Sequence, residues 1–190
     1  MTSRSSSPSV LAPETPGKFP DAMSLRDTIE ITTPAPTDVD AVLTLWQRLV
    51  VSQRAFGTSL LAEENTSTAR DWLLNLHIGD GIRIATLDGT AVGFVTFALE
   101  TDRFERDRTT GIVHNLYVDT AYRGQGIGTA LLERAEDILA ERGADRVRLE
   151  VMGANERASR FYTERGYTPH RVTLAKSVQK TDKANAPDRE

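Results

Sequence analysis

The chain has 190 residues, which at roughly 150 per domain is one domain with some forty residues to spare. It is 39% hydrophobic and 26% charged with a net charge of −4, ordinary usage that excludes collagen-like and coiled-coil architectures and argues against binding driven by nucleic-acid phosphates. With no cysteine, thiolate nucleophiles and Cys-ligated metal centres are ruled out, and the three histidines (His77, His114, His170) are not at metal-ligand spacing. No apolar run is long enough to span a membrane, so the chain reads as a soluble, cytoplasmic protein.

Residues 1–28 hold six Ser and four Pro with little apolar content and are expected to be a disordered tail, or an upstream extension if Met23 is the true start. Residues 29–176 are expected to fold, and 177–190 to form a polar tail. Glu30–Thr33 suits a short strand. Thr37-Asp-Val-Asp40 reads as a capping-box variant opening a helix whose apolar face is Val39, Val42, Leu43, Trp46, Leu49 and Val50. A second helix over 66–77 would bury Ala69, Trp72, Leu73 and Leu76. Ile82–Leu87 and Ala91–Leu99 flank Asp88-Gly89, a strong hairpin signal. A charged loop (101–110) leads to a strand over Gly111–Val118, and then a glycine-rich turn opens a helix over 126–142. That helix sets Ile127, Ala130, Leu131, Ala135, Ile138 and Leu139 on one stripe and stops at Gly143. A strand at Val147–Val151, a helix at Glu156–Arg165 ended by Gly166, and a last strand at Tyr167–Lys176 complete the pattern. Antiparallel strands feeding a βαβ unit imply a mixed α/β sheet with helices on its faces.

Chemistry concentrates at Asn115-Leu-Tyr-Val-Asp-Thr-Ala-Tyr-Arg-Gly-Gln-Gly-Ile-Gly128. A strand ends, glycines follow at 124, 126 and 128, and an amphipathic helix begins. Backbone N–H groups and the helix dipole then converge where a phosphate would sit, and glycine lets the backbone approach it closely. An ordinary glycine turn is the alternative. There is no Gly-Lys-Ser/Thr of a Walker loop. The dinucleotide pattern Gly-x-Gly-x-x-Gly/Ala fails in both frames, at Thr129 and at Leu131, although Glu150 lies where a ribose-binding acid would stand.

Arg123-Gly-Gln-Gly-Ile-Gly128 resembles the Arg/Gln-x-x-Gly-x-Gly/Ala loop of the GCN5-related N-acetyltransferases. Asn155, Ala158, Tyr162 and Gly166-Tyr167 resemble that family's second motif, and the spacing of Glu150, Asn155 and Tyr162 is that of its ribosomal-protein alanine acetyltransferase branch. The resemblance implies the acyl-CoA N-acyltransferase fold, a mixed and mostly antiparallel sheet with helices on both faces. It also implies acetyl-CoA as co-substrate with no metal. The loop amides from Arg123 through Gly124, Gln125, Gly126, Ile127 and Gly128 to Thr129 would hold the pyrophosphate. The backbone of Leu116, Tyr117 and Val118 would pair with the pantetheine arm, Asn155 would hydrogen-bond that arm, and Tyr162 would stand near the thioester sulfur.

Transfer needs a neutral amine and a partner for the departing thiolate, a role open to a tyrosine hydroxyl. Near pH 7.4 only about 0.1% of a lysine amine is neutral, against about a quarter of an α-amine, so a lysine acceptor gains more from a base. Glu150 matches the branch's catalytic base, and its alternative is a salt-bridged strand glutamate beside Arg148. His114 is the second candidate base, its alternative a satisfied sheet histidine. The expected function is direct acetyl transfer to a primary amine: a protein lysine, an N-terminus or a small molecule. The alternative is an acetyl-CoA-binding regulatory module without turnover. The acceptor is expected near residues 50–70 and 100–110, where Glu63-Glu64, Asp102, Glu105 and Asp107 would steer a cation or simply face solvent. A monomer or homodimer is expected, without nucleic-acid or membrane partners.

Overall fold

The computed structural model describes residues 28–101 and 106–178, so all but the last residue of the expected tail over 1–28, Asp102, Glu105 and the end of the polar tail lie outside the described residues. The described chain divides into two compact units, one up to Glu150 and one from Val151 onward.

The first unit is a five-stranded sheet in the order β1 (Glu30–Thr32), β2 (Ile82–Leu87), β3 (Thr90–Leu99), β4 (Thr110–Val118) and β5 (Arg146–Leu149). The first three pairings are antiparallel and the last, β4 with β5, is parallel. The hairpin forms where Asp88-Gly89 stands, both residues taking positive φ (50° and 75°) as a tight two-residue hairpin turn requires. Helix α1 (Val39–Gln53) and helix α2 (Thr66–Ile78) follow β1, while α3 (Ile127–Glu141) makes the crossover between β4 and β5.

Adjacent residues of β3 show how the sheet divides the core. Phe94 is fully buried in a cluster with Val42, Trp46 and Leu49 of α1, Leu73 of α2 and Tyr117 of β4. Its neighbour Gly93 points the opposite way, where a Cβ would stand 3.2 Å from Leu131 of α3, and a Cβ on Gly111 would stand 2.7 Å from Leu139. Helices therefore cover both faces, and α3 rides close to the sheet because two of its strand partners are glycines.

Several expected boundaries shift. Helix α1 is entered through a short 3-10 turn, Pro36–Asp38, and the carboxylate of Asp38 accepts the Ala35 N–H at 2.9 Å, so the box closes on Ala35 instead of Thr37. Strand β5 stops at Leu149, which leaves Glu150 and Val151 outside it.

The second unit holds one helix, α4 (Glu156–Thr163), capped by Asn155 and followed by a turn with Gly166 at φ 85°. The expected last strand at Tyr167–Lys176 does not form. Val172 and Leu174 are 79% and 90% exposed, so their alternation has no sheet to face, and Pro169 removes an N–H from the segment's start. A period of two marks a strand only where a neighbour supplies hydrogen bonds.

Candidate active site

Strand β4 has two different halves. From Thr110 to Val113 it is bonded on both sides, to β3 and to β5, with the parallel register ending at Val113 opposite Leu149. From His114 to Val118 it continues along β3 alone, and its other edge carries N–H and C=O groups with no strand beside them. The change falls at a bulge. Thr96 lies opposite Asn115 and Phe97 opposite Val113, so His114 is the inserted residue with no counterpart on β3. Asn115 is anchored there through its Nδ2, which donates to Thr96 Oγ1 at 3.0 Å.

The free half runs straight into the glycine turn. Asp119 N–H donates to Val92 O at 2.9 Å, and Asp119 then caps a 3-10 turn, Thr120–Tyr122, by accepting the Ala121 N–H. Gly124 and Gly126 follow with φ of 78° and 82°, and Gly126 is the N-cap of α3. A Cβ at Gly124 would meet nothing within 4 Å, so that glycine serves backbone conformation rather than close packing. The first helical bond of α3 is Ala130 N–H to Gly126 O, so the amides of Ile127 and Gly128 come before the helix can satisfy them, with Thr129 completing the first turn. This is the positive end of the helix dipole.

Arg123 differs from the rest of the loop. Its Nε donates to Val118 O at 2.8 Å and its guanidinium stacks 5.3 Å from the Tyr117 ring centre, so the side chain ties the turn back to β4. Tyr117 itself is buried. That burial raises its hydroxyl pKa, the Asp119 charge raises it further, and the Arg123 and Arg48 cations partly oppose the shift. Asp119 pairs with Arg48 of α1. Partial burial works to raise the Asp119 carboxyl, but the Ala121 N–H, the Thr120 hydroxyl and Arg48 together hold it below its ordinary value. An open cleft of about 610 Å³ lies between this end of β4 and α1, lined by Gln47, Arg48, Ser52, Tyr117 and Thr120 among others. The pairing of Arg48 with Asp119 spans 71 residues of sequence and left no local signal in it.

Of the candidate bases, Glu150 is exposed immediately after β5. Arg148, its ion partner in the alternative reading, is instead bound to Glu100 at 2.7 Å, with both side chains mostly buried. His114 has its ring edge-on to Trp72 of α2, centroids 5.8 Å apart, and no side-chain hydrogen bond is found for it among the described residues. Although a good part of its surface is open to solvent, burial of the ring holds its pKa below the ordinary histidine value.

In the second unit, Asn155 Oδ1 accepts the Ala158 N–H at 3.1 Å, so the carbonyl half of the amide caps α4 and its Nδ2 is the group left to offer a ligand. Tyr162 packs edge-on between Phe161 (5.1 Å) and Tyr167 (5.6 Å), and burial pushes its hydroxyl up to about 12. Phe161, Tyr162 and Tyr167 thus pack as one aromatic cluster while the Tyr162 hydroxyl stays protonated at any physiological pH. Among the described residues no cluster of metal-ligating side chains occurs, and no helix is long and apolar enough to cross a membrane.

Known proteins resemble the chain at the level of both sequence and fold. The model of the acetyltransferase (GNAT) family matches residues 46–167, more than half of the chain. An uncharacterized N-acetyltransferase of Archaeoglobus fulgidus is 41% identical over 93 residues, 48% of this chain and 61% of that protein. A mycothiol acetyltransferase of Amycolatopsis mediterranei is 31% identical over 154 residues, 79% of this chain and 50% of that protein. The chain therefore spans at most about three fifths of these relatives. Among structures, a GCN5-related N-acetyltransferase from Ralstonia eutropha JMP134 superposes with a TM-score of 0.64 at 24% identity, over 79% of this chain and 98% of the other. The aminoglycoside N-acetyltransferase AAC(6')-Iy in complex with CoA shares the fold at a TM-score of 0.63 and 14% identity, over 78% and 94% of the two chains. A split in the sheet leading into a glycine-entered helix, with a family match spanning both, places this chain in the GNAT acetyltransferase family.

Proposed function

We propose that the protein is an acetyl-CoA-dependent N-acetyltransferase that moves the acetyl group directly to a primary amine. The observation that carries this reading is the free half of β4: a stretch, His114–Val118, with no strand on its other edge, leading into amides at a helix mouth. A pantetheine arm has amide groups that can pair with such an edge as an added strand would, and its pyrophosphate suits the turn. Leu116, Tyr117 and Val118 would supply the edge. The amides from Arg123 to Thr129 would supply the cradle, with the Arg123 side chain bracing it. Asn155 would offer its Nδ2 to the same arm.

In the transfer step the amine lone pair forms a bond to the thioester carbonyl carbon, and the C–S bond breaks with its electron pair leaving on sulfur. A strand N–H beside the carbonyl would stabilise the developing oxyanion. Tyr162 is proposed as the partner of the leaving sulfur. With a hydroxyl near 12 and a thiol near 8.5, full proton transfer from Tyr162 to a thiolate would be uphill by several units. Its contribution is therefore a hydrogen bond that stabilises the thiolate, with solvent completing protonation. Glu150, exposed beside the split, is proposed to interact with the acceptor amine. The acceptor is a primary amine of a protein or of a small molecule.

The test is a thermal-shift titration of the full chain with acetyl-CoA, CoA, ATP and NADH. Ligand at 100 times its dissociation constant should stabilise by about 2.7 kcal/mol. A rise with acetyl-CoA and CoA alone supports the reading, and none with either, or a preference for NADH, contradicts it. Tyr162→Phe then separates an enzyme from a silent acetyl-CoA-binding module: an enzyme loses rate while keeping its CoA affinity.

A further inference from the structure

The end of the β4–β5 pairing places two titratable residues on opposite lips of the split. The last register pair is Val113 and Leu149, so the next residue on β4 is His114 and the residue that follows the end of β5 is Glu150. His114 is also the residue inserted by the bulge, which frees it from the ladder on the β3 side. Its ring is fixed from the side by the edge of Trp72, with a good part of its surface left accessible. Resting on the transferase reading above, we propose that His114 is the general base of the reaction and that Glu150, across the gap, anchors the cationic acceptor rather than removing its proton.

The chemistry assigns the two roles differently. A general base must be unprotonated and must reach the reacting nitrogen, whereas a cation anchor need only be charged and open to solvent. Glu150 is exposed, the environment of an anchor. The groups around His114 favour its neutral form. Trp72 on α2 is apolar, Thr96 on β3 is uncharged and already bonded to Asn115, and Arg148 on β5 is bound to Glu100. Arg48 on α1 is bound to Asp119, and Asp71, beside Trp72, is exposed. Burial alone lowers the His114 pKa, with no charged neighbour contributing, so the imidazole is largely neutral at pH 7.

The proton balance closes without another reagent. The anchored ammonium first loses a proton to solvent, and attack by the resulting neutral amine forms the C–N bond and makes that nitrogen acidic. A ring nitrogen of His114 takes its proton, the C–S bond breaks onto the CoA sulfur, and the imidazolium returns the proton to solvent.

The test uses the full chain in two experiments. The first needs no acceptor: NMR titration of the histidine ring signals with and without acetyl-CoA. The His114 signals should shift on addition of acetyl-CoA while those of His77 stay in place; unmoved His114 signals would overturn the assignment. The second follows thiol release from acetyl-CoA with alanine tripeptide, Nα-acetyl-lysine amide and sisomicin as acceptor probes. His114→Gln should lower kcat by about 10²-fold or more with acetyl-CoA Kd within about twofold, and should abolish the acidic limb of the pH profile. Added imidazole should restore part of the rate in His114→Gly, a rescue that a packing role would not show. Glu150→Gln should mainly raise the acceptor KM. If Glu150→Gln removes kcat while His114→Gln keeps both its rate and the acidic limb, the roles are reversed and the proposal fails. Failure of the wild type to bind acetyl-CoA at all would instead sink the transferase reading on which it rests.

Discussion

Strand β4 carries two chemistries in nine residues. Its first half, Thr110–Val113, is bonded on both edges and covered by α3, with Gly111 under Leu139. Its second half has one bonded edge and runs into a turn whose glycines take positive φ. Both halves hold residues that suit a strand, Ile112 and Val113 in the first and Tyr117 and Val118 in the second. What differs is the partner: β5 is only four residues long and stops, and a longer β5 would have sealed the edge. A short neighbour leaves the second half of the strand with an open edge.

Substitutions in the two halves should therefore separate stability from donor binding. The largest loss is expected over the paired half. Leu139→Ala removes a fully buried side chain and should cost about 2–5 kcal/mol in denaturant unfolding. Acetyl-CoA affinity of the folded protein should stay unchanged. Gly111→Val acts in the same place by the opposite route. Its Cβ would stand 2.7 Å and 2.9 Å from the Leu139 methyls, and overpacking of this kind typically costs about 1–3 kcal/mol. Equal donor affinity in both variants would support the division of β4, whereas a large loss would show that the paired half also binds.

Gly126→Val tests the other half. A β-branched residue at φ 82° should lose about 1–2 kcal/mol of stability and distort the amides at the mouth of α3. Calorimetry should show acetyl-CoA affinity falling by about tenfold or more, a larger effect on binding than either paired-half variant.

The smallest effect concerns pH. The folded-state pKa of His114 is depressed, so the unfolded chain binds more protons than the native one as pH falls through the histidine range. Its contribution is to lower stability progressively from just above pH 6.5 down to the folded pKa, below which it is constant. Thermal unfolding between pH 7.5 and 5 should show this slope, and His114→Gln should flatten it. Asp80, held low chiefly by its hydrogen bond from Arg83, acts in a separate window: its stabilisation is lost only as pH falls below the ordinary carboxylate value.

Local chemistry made much of the fold legible. The Asp88-Gly89 hairpin and the stop at Gly143 occur as read, and so does the apolar stripe of α3 except that Leu132 is buried in it and Ala130 only half-buried. The segment Tyr167–Lys176 read as a strand, yet a strand is a relation between two segments and one alone cannot declare it; Val172 and Leu174 stand exposed. The site divides in the same way. The glycine turn is local and was evident, whereas the bulge at His114 shows only in the register with β3. The Trp72 contact and the Arg48 clamp on Asp119 are likewise long-range. Arg123 was legible as a loop residue, but its bond to Val118 O, which makes its side chain a brace, was not.

The most direct test of the central claim is amide hydrogen exchange along β4 and the glycine turn, measured with and without acetyl-CoA. The account expects new protection at Leu116–Val118 and Gly124–Gly128, with Thr110–Val113 already protected and unchanged. Protection confined to other segments, or none at all on the free half of β4, would contradict it.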